Sequence, residues 1–161
     1  APLRSGKGHP FEGGIRVPWI VKWPGVAEPG STSDTPITST DIFPTIVNAS
    51  GQPLPADRDI DGFDLKPALT GGKLGRDALF WHFPHYRHAP GPYSIIRQGD
   101  WKLIKWYEGP RALFTLKADP SEKENPPDAM LEKVADLDKR LMSHLESIGA
   151  KIPVAPKTLS N

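Results

Sequence analysis

The clearest hydrophobic pattern lies near the C-terminal end. Met130, Leu131, Val134, Leu137, Leu141, Leu145 and Ile148 recur at three- and four-residue spacing, which predicts one stripe of a long amphipathic helix. Pro126 or Pro127 stands near its start and Gly149 just past its end, as helix termini favour. Before it, four short runs at 78–83, 93–98, 101–107 and 111–116 read as strands separated by turns. Gln98-Gly99-Asp100 between two of them is a hairpin signal. This half predicts a small antiparallel sheet of about four strands with one long helix packed on it, an α+β unit.

The first half reads differently. Residues 1–14 are loop-like and rich in glycine. The run 15–23 (IRVPWIVKW) predicts a strand apolar enough to need cover on both faces, as in a parallel α/β sheet. Pro18 must then sit at its start or at a bulge. Ile42, Phe43, Ile46, Val47 and Ala49 have helical spacing, with Ser39 or Thr40 as cap, Pro44 in the first turn and Gly51 at the end. Residues 52–70 form loop with one helical turn. The expected organisation is therefore the end of an α/β domain over 1–70, an α+β subdomain over 71–153 and a tail over 154–161.

Composition narrows the function. The 161 residues carry a net charge of +1 with no dense basic patch, which argues against nucleic acid as partner. No apolar run is long enough to span a bilayer. Cysteine is absent, so disulfides and thiolate metal sites are excluded. The 19 prolines are dispersed among apolar runs and predict ordered loops.

Several segments carry more specific information. Gly6-Lys7-Gly8-His9-Pro10-Phe11-Glu12-Gly13-Gly14-Ile15-Arg16-Val17-Pro18 resembles the sulfatase segment GKG-x-x-(aromatic)-EGG-(aliphatic)-R-x-P. In the same order follow Asp41-Ile42-Phe43-Pro44-Thr45, Asp61-Gly62, Phe80-Trp81-His82-Phe83-Pro84-His85-Tyr86, Arg97-Gln98-Gly99-Asp100-Trp101-Lys102-Leu103 and Asp119-Pro120-Ser121-Glu122-Lys123-Glu124-Asn125. Six blocks in the family's order resemble the C-terminal portion of a sulfatase of the alkaline-phosphatase-like superfamily.

That resemblance implies a parent enzyme that hydrolyses sulfate esters with a formylglycine nucleophile and a divalent cation, usually calcium. The nucleophile arises from C/S-x-P-x-R, which does not occur here. The metal ligands would lie mostly upstream. The chain is thus expected to be inactive alone, to bind no complete metal site, and to need the upstream catalytic portion as partner. Its substrate would be a sulfated small molecule or sugar, and such enzymes are commonly exported (periplasmic, extracellular or lysosomal). Two alternatives stay open: a phosphodiesterase or phosphonate hydrolase of the same superfamily, and a non-catalytic binding or assembly module. Left without flanking strands, 15–23 would be open to self-association.

Within the resemblance, Lys7 is the expected catalytic residue. A fixed ammonium there would stabilise charge spreading over the sulfuryl and leaving oxygens. His9, His85, Tyr86 and Arg87 are candidates for contacting substrate, with surface histidine as the alternative for His9. Glu12 and Arg16, four residues apart, are expected to pair and fix the loop. His82, His85 and His88 suggest zinc, yet Pro84 and Pro90 interrupt any helix that would gather them. Asp119, Glu122 and Asn125 read as a turn rather than a calcium loop.

Overall fold

The computed structural model describes residues 2–87, 91–125 and 130–154. Two compact units emerge, one formed by Ala1–Val17 with Ala78–Asn161 and the other by Pro18–Asp77. The first 17 residues therefore pack with the sheet, although the composition of the chain changes near residue 70.

In the sheet unit, β1 (Ala78–Phe83), β2 (Tyr93–Gln98), β3 (Trp101–Trp106) and β4 (Arg111–Thr115) pair in sequence order, each antiparallel to the next. Gln98 faces Trp101 in the β2–β3 register, leaving a two-residue turn. Gly99 takes φ +56° there, as the first position of such a turn requires. One face of the sheet carries Ile96, Leu103 and Leu113 against Leu137, Leu141 and Leu145 of α4 (Leu131–Ser147). The opposite face carries Ile95, Ile104, Trp106 and Phe114, covered in part by Phe11 and Ile15. Cover on both faces explains the paired apolar residues Ile95-Ile96, Leu103-Ile104 and Leu113-Phe114, where one-sided burial would give strict alternation. Only the middle of the expected helical stripe is deeply buried, since Met130, Leu131 and Ile148 are exposed. Asp138 adds a polar tie from the helix, accepting from Lys105 Nζ and Arg111 Nη2 at 2.8 Å each. Burial pushes the Asp138 carboxyl up, but the bonds from Lys105 and Arg111 outweigh it and hold the group below its ordinary value.

The Pro18–Asp77 unit is organised around a carboxylate. Asp41 ends a 3-10 turn (Ser39–Asp41) and leads into α2 (Ile42–Ala49). Its oxygens accept from the Thr38 N–H at 2.8 Å, the Phe63 N–H at 2.9 Å, and both Arg76 Nη atoms at 2.6 and 2.5 Å. Thr45 Oγ1 donates to the Asp41 carbonyl at 2.6 Å and accepts from the Leu65 N–H at 2.9 Å. Leu65 leads into the single turn α3 (Lys66–Leu69). A side chain at Gly62 would overlap the Thr40 carbonyl, so only glycine allows this approach. Thr38 caps the 3-10 turn and Asp41 stands at the cap of α2, so neither Ser39 nor Thr40 takes the expected place.

The strand expected over 15–23 does not form. Ile15 closes the single turn α1 (Glu12–Ile15), and residues 16–23 belong to no strand. A strand exists only through a ladder partner. The four strands here pair among themselves, and Pro18 lacks a donor. Val17 and Ile20 are correspondingly 79% and 92% exposed.

Candidate functional site

Lys7 occupies the tip of a turn. The His9 N–H donates to the Gly6 carbonyl at 3.2 Å, and Gly8 takes φ +93°. Positive φ at the third position marks a type II turn, which nearly demands glycine there. The second glycine of the Gly-Lys-Gly segment thus has a backbone reason. Lys7 is exposed and makes no hydrogen bond or ion pair among the described residues.

The turn is folded back on the segment that follows it. The Gly13 N–H donates to the Arg4 carbonyl at 2.9 Å. A Cβ at Gly13 would overlap the Arg4 and Ser5 carbonyls, and one at Gly14 the His9 and Gly6 carbonyls. The Glu-Gly-Gly block is therefore packed backbone to backbone against the residues on either side of Lys7.

Beneath it lies a buried charge cluster. Lys102 projects from β3 on the face covered by Phe11, and its Nζ lies 3.0 Å from Glu12 Oε1 and 2.8 Å from Glu122 Oε1. All three side chains are essentially without solvent contact. The Glu12 N–H also donates to Glu122 Oε2 at 2.5 Å. Arg4 completes the arrangement: its guanidinium lies 3.8 Å over the Phe11 ring and donates to the Glu122 carbonyl at 2.7 Å. Glu122 holds φ +52°, an uncommon backbone state for glutamate that the surrounding bonds must hold in place.

This corrects one expectation. The partner of Glu12 is Lys102, ninety residues away, and not Arg16. Arg16 is exposed, and only its backbone N–H reaches Glu12, through the carbonyl at 2.8 Å. At four residues' separation the pair would suit a helix, but α1 ends at Ile15.

The other candidates divide. Half-buried His9 lines a shallow cleft with Gly8, Pro10, Phe83, Tyr93 and Trp106. His85 stands edge-on to the Phe83 ring at 5.0 Å between centroids, beside that cleft. Tyr86 donates to Glu108 Oε1, and both side chains lie beside Gly91, which also lines the cleft. That bond to Glu108, then burial and the carboxylate charge, raise its phenol above the ordinary value. Arg87 is exposed. His9 thus lines the cleft and His85 stands on its Phe83 side, while Tyr86 is engaged with Glu108.

Among the described residues no group of three His, Cys, Asp or Glu side chains is placed to hold a metal. Asp41, Glu12 and Glu122 are each taken up by a cation of the chain itself. Both ring nitrogens of His82 are occupied, Nε2 by the Lys151 carbonyl at 3.0 Å and Nδ1 by Ser94 Oγ at 2.8 Å. A carbonyl only accepts, so Nε2 carries the proton. His88 lies outside the described residues. Among the described residues the donor set does not fit a divalent-cation site. Asp119 and Asn125 serve the turn, accepting from the Glu124 N–H at 2.9 Å and the Leu113 N–H at 3.0 Å. No helix among the described residues is long and apolar enough to cross a membrane.

A sheet backed by one helix, with a lysine turn locked over its other face, defines a sulfatase C-terminal module. The chain belongs to the family described as N-sulphoglucosamine sulphohydrolase, C-terminal, which it matches over residues 6–151. It is 39% identical over 120 residues to arylsulfatase A of Homo sapiens, covering 74% of this chain and 23% of that protein. Its fold superposes on the crystal structure of Ps i-CgsB with a TM-score of 0.77, 27% identity, and coverage of 89% of this chain and 32% of that one. A structure of BT4656 in complex with its substrate D-glucosamine-2-N,6-O-disulfate matches with a TM-score of 0.66 and 29% identity, covering 81% and 28%. The chain spans a third or less of each of these proteins. Its four-stranded antiparallel sheet with a C-terminal helix is the one these neighbours, sulfatases of alkaline-phosphatase-like fold, carry.

Proposed function

We propose that this chain is the C-terminal portion of a sulfuric ester hydrolase, and that its contribution to the reaction is Lys7. The observation that carries this reading is the turn itself: an ammonium with no partner among the described residues, on a backbone fixed by Gly8, Gly13 and Gly14. A preorganised charge costs little reorganisation when negative charge develops on sulfuryl and leaving oxygens. Lys7 binds the sulfuryl group and offsets that charge. His9 and His85 border the organic part of the substrate, with Arg87 near them; Tyr86, tied to Glu108, shapes the rim. The substrate is a sulfated sugar or small molecule, in keeping with the sugar disulfate bound by the BT4656 relative.

A formylglycine nucleophile and a divalent cation, usually calcium, are assigned to a catalytic portion outside this chain: C/S-x-P-x-R does not occur in the sequence, and among the described residues no group of three His, Cys, Asp or Glu is placed to hold a metal. In the whole protein residues 1–70 close the catalytic domain, even though 1–17 pack on the sheet within this chain. The parent is read as an exported enzyme.

Two measurements test this. The purified chain should not turn over an aryl sulfate at any pH with calcium supplied; turnover abolished by a substitution in this chain would refute the division of labour. In the full-length enzyme, Lys7→Ala should lower kcat on the order of a hundredfold to a thousandfold. The deficit should shrink for better leaving groups. Near-normal kcat across such a series would reduce the segment to a turn.

A further inference from the structure

We infer that Lys102 is the positioning residue for Lys7, acting from the sheet through Glu12. This rests on the reading of Lys7 given above but makes a separate physical claim. Three charged residues from three distant segments meet in one dry cluster: Glu12 from the turn segment, Lys102 from β3, Glu122 from the loop after β4. Two carboxyl groups share one lysine, Glu12 Oε2 makes no hydrogen bond among the described residues, and Glu122 Oε1 meets Lys102 Nζ only as an ion pair. Such a group is poor value for stability alone, because apolar side chains of similar volume commonly stabilise as well or better. What the cluster does provide is direction. Each carboxylate oxygen that Lys102 binds fixes a backbone segment to which it is attached.

The path to Lys7 is short and made of contacts with no slack. Lys102 holds the Glu12 carboxylate at 3.0 Å, and Glu122 takes the Glu12 N–H at 2.5 Å. Glu12 is thereby gripped at both ends, which sets where Gly13 and Gly14 run. Those glycines lie against the carbonyls of Arg4, Ser5, Gly6 and His9 with no room for a Cβ. Gly6 and His9 are the two ends of the turn that carries Lys7. A shift of Glu12 is thus transmitted backbone to backbone, and a small displacement of a reacting group is costly in rate. Lys105, three residues along β3, is the natural contrast. It faces α4 and binds Asp138, with no link to the turn.

Amide hydrogen exchange and the Lys7 backbone signal, followed by NMR on the labelled chain, test the inference. In Lys102→Met, the amides of His9, Gly13 and Gly14 should exchange about tenfold faster or more, while those of Ile95, Ile96, Leu103 and Ile104 change far less. The backbone amide signal of Lys7, which reports the fixed turn, should move toward its random-coil position, whereas a role for Lys102 confined to the sheet would leave it in place. Lys105→Met should leave both the turn amides and the Lys7 signal unchanged. If Lys102→Met does not fold, Glu12→Gln provides the same comparison, since it keeps the Lys102–Glu122 pair. Turn amides unchanged in a folded variant, or turn and sheet accelerating by the same factor, would overturn the inference. The two readings fail separately: a fully active Lys7→Ala enzyme removes the catalytic role of Lys7 and leaves this exchange result intact.

Discussion

The sheet unit and the Pro18–Asp77 unit solve the same problem by different means. The sheet is apolar on both faces, and Ile95, Ile96, Leu103, Ile104, Leu137 and Leu141 are wholly buried. In the other unit Leu65 and Ala68 are the buried apolar residues, and the side chain at the centre is Asp41. Its helix α2 buries Pro44 and Thr45 and leaves Ile42, Phe43 and Ile46 on the surface. One unit is held by apolar area, the other by a bidentate ion pair with backbone amides around it. The lesson is that apolar patterning in residues 18–77 is not consumed by the fold of this chain. In α2 the apolar side chains of Ile42, Phe43 and Ile46 are outward, where they add nothing to the core of this unit.

The largest expected effect breaks the second unit alone. Asp41→Ala strands the Arg76 guanidinium and the N–H groups of Thr38 and Phe63. Breaking a buried pair in this way typically costs about 3–5 kcal/mol. Proteolysis should then cut within 18–77 while the sheet stays protected. Cleavage spread evenly over both units would mean that they fold as one. Next comes Leu141→Ala, on the apolar side of the comparison. It should cost about 2–5 kcal/mol, read as a lower denaturation midpoint of the sheet unit, with little change in the exchange of residues 42–49.

Acid offers a finer contrast. Burial raises the Asp41 carboxyl, but the Arg76 bonds and the amides of Thr38 and Phe63 win, leaving it below its ordinary value. The folded state therefore binds that proton more weakly than the unfolded chain. Its stabilisation is complete above the unfolded value of about 3.9 and is lost as pH falls through the folded value. Asp138 behaves with the same sign. The sheet, however, retains two apolar faces when Asp138 is protonated. Pulsed exchange below about pH 4 should open 18–77 before β1–β4. Loss of protection in the reverse order would show that apolar area is not what separates the units.

How much of this was legible in the sequence follows the same divide. Strands β1 to β4 were readable to within a residue, because local patterning and hairpin chemistry agree there. The 15–23 strand was misread because an apolar run reports what a segment can pair with, not whether a partner is present. The Lys102 cluster was hidden for another reason. Glu12, Lys102 and Glu122 each stand inside a recognised block, yet no spacing rule links positions 110 residues apart. Arg76 lies outside every block and gave no signal at all.

The smallest effect expected here is the one that best sharpens the comparison. Ile46 is 62% exposed, so Ile46→Ser removes a side chain that mostly touches water. Surface changes of this kind usually stay within about 0.5 kcal/mol. The denaturation midpoint of the purified chain should barely move, and its solubility should rise because an exposed apolar patch is reduced. In the full-length protein the same substitution should behave as a core change. There the upstream portion is expected to cover α2, and a hydroxyl buried without a partner costs about 1–3 kcal/mol. Measuring the midpoint shift in both contexts turns an exposed residue into a reporter of what covers it. Equal, small shifts in both would mean that the apolar face of α2 stays open to solvent in the whole enzyme, and its outward stripe would then need a different partner.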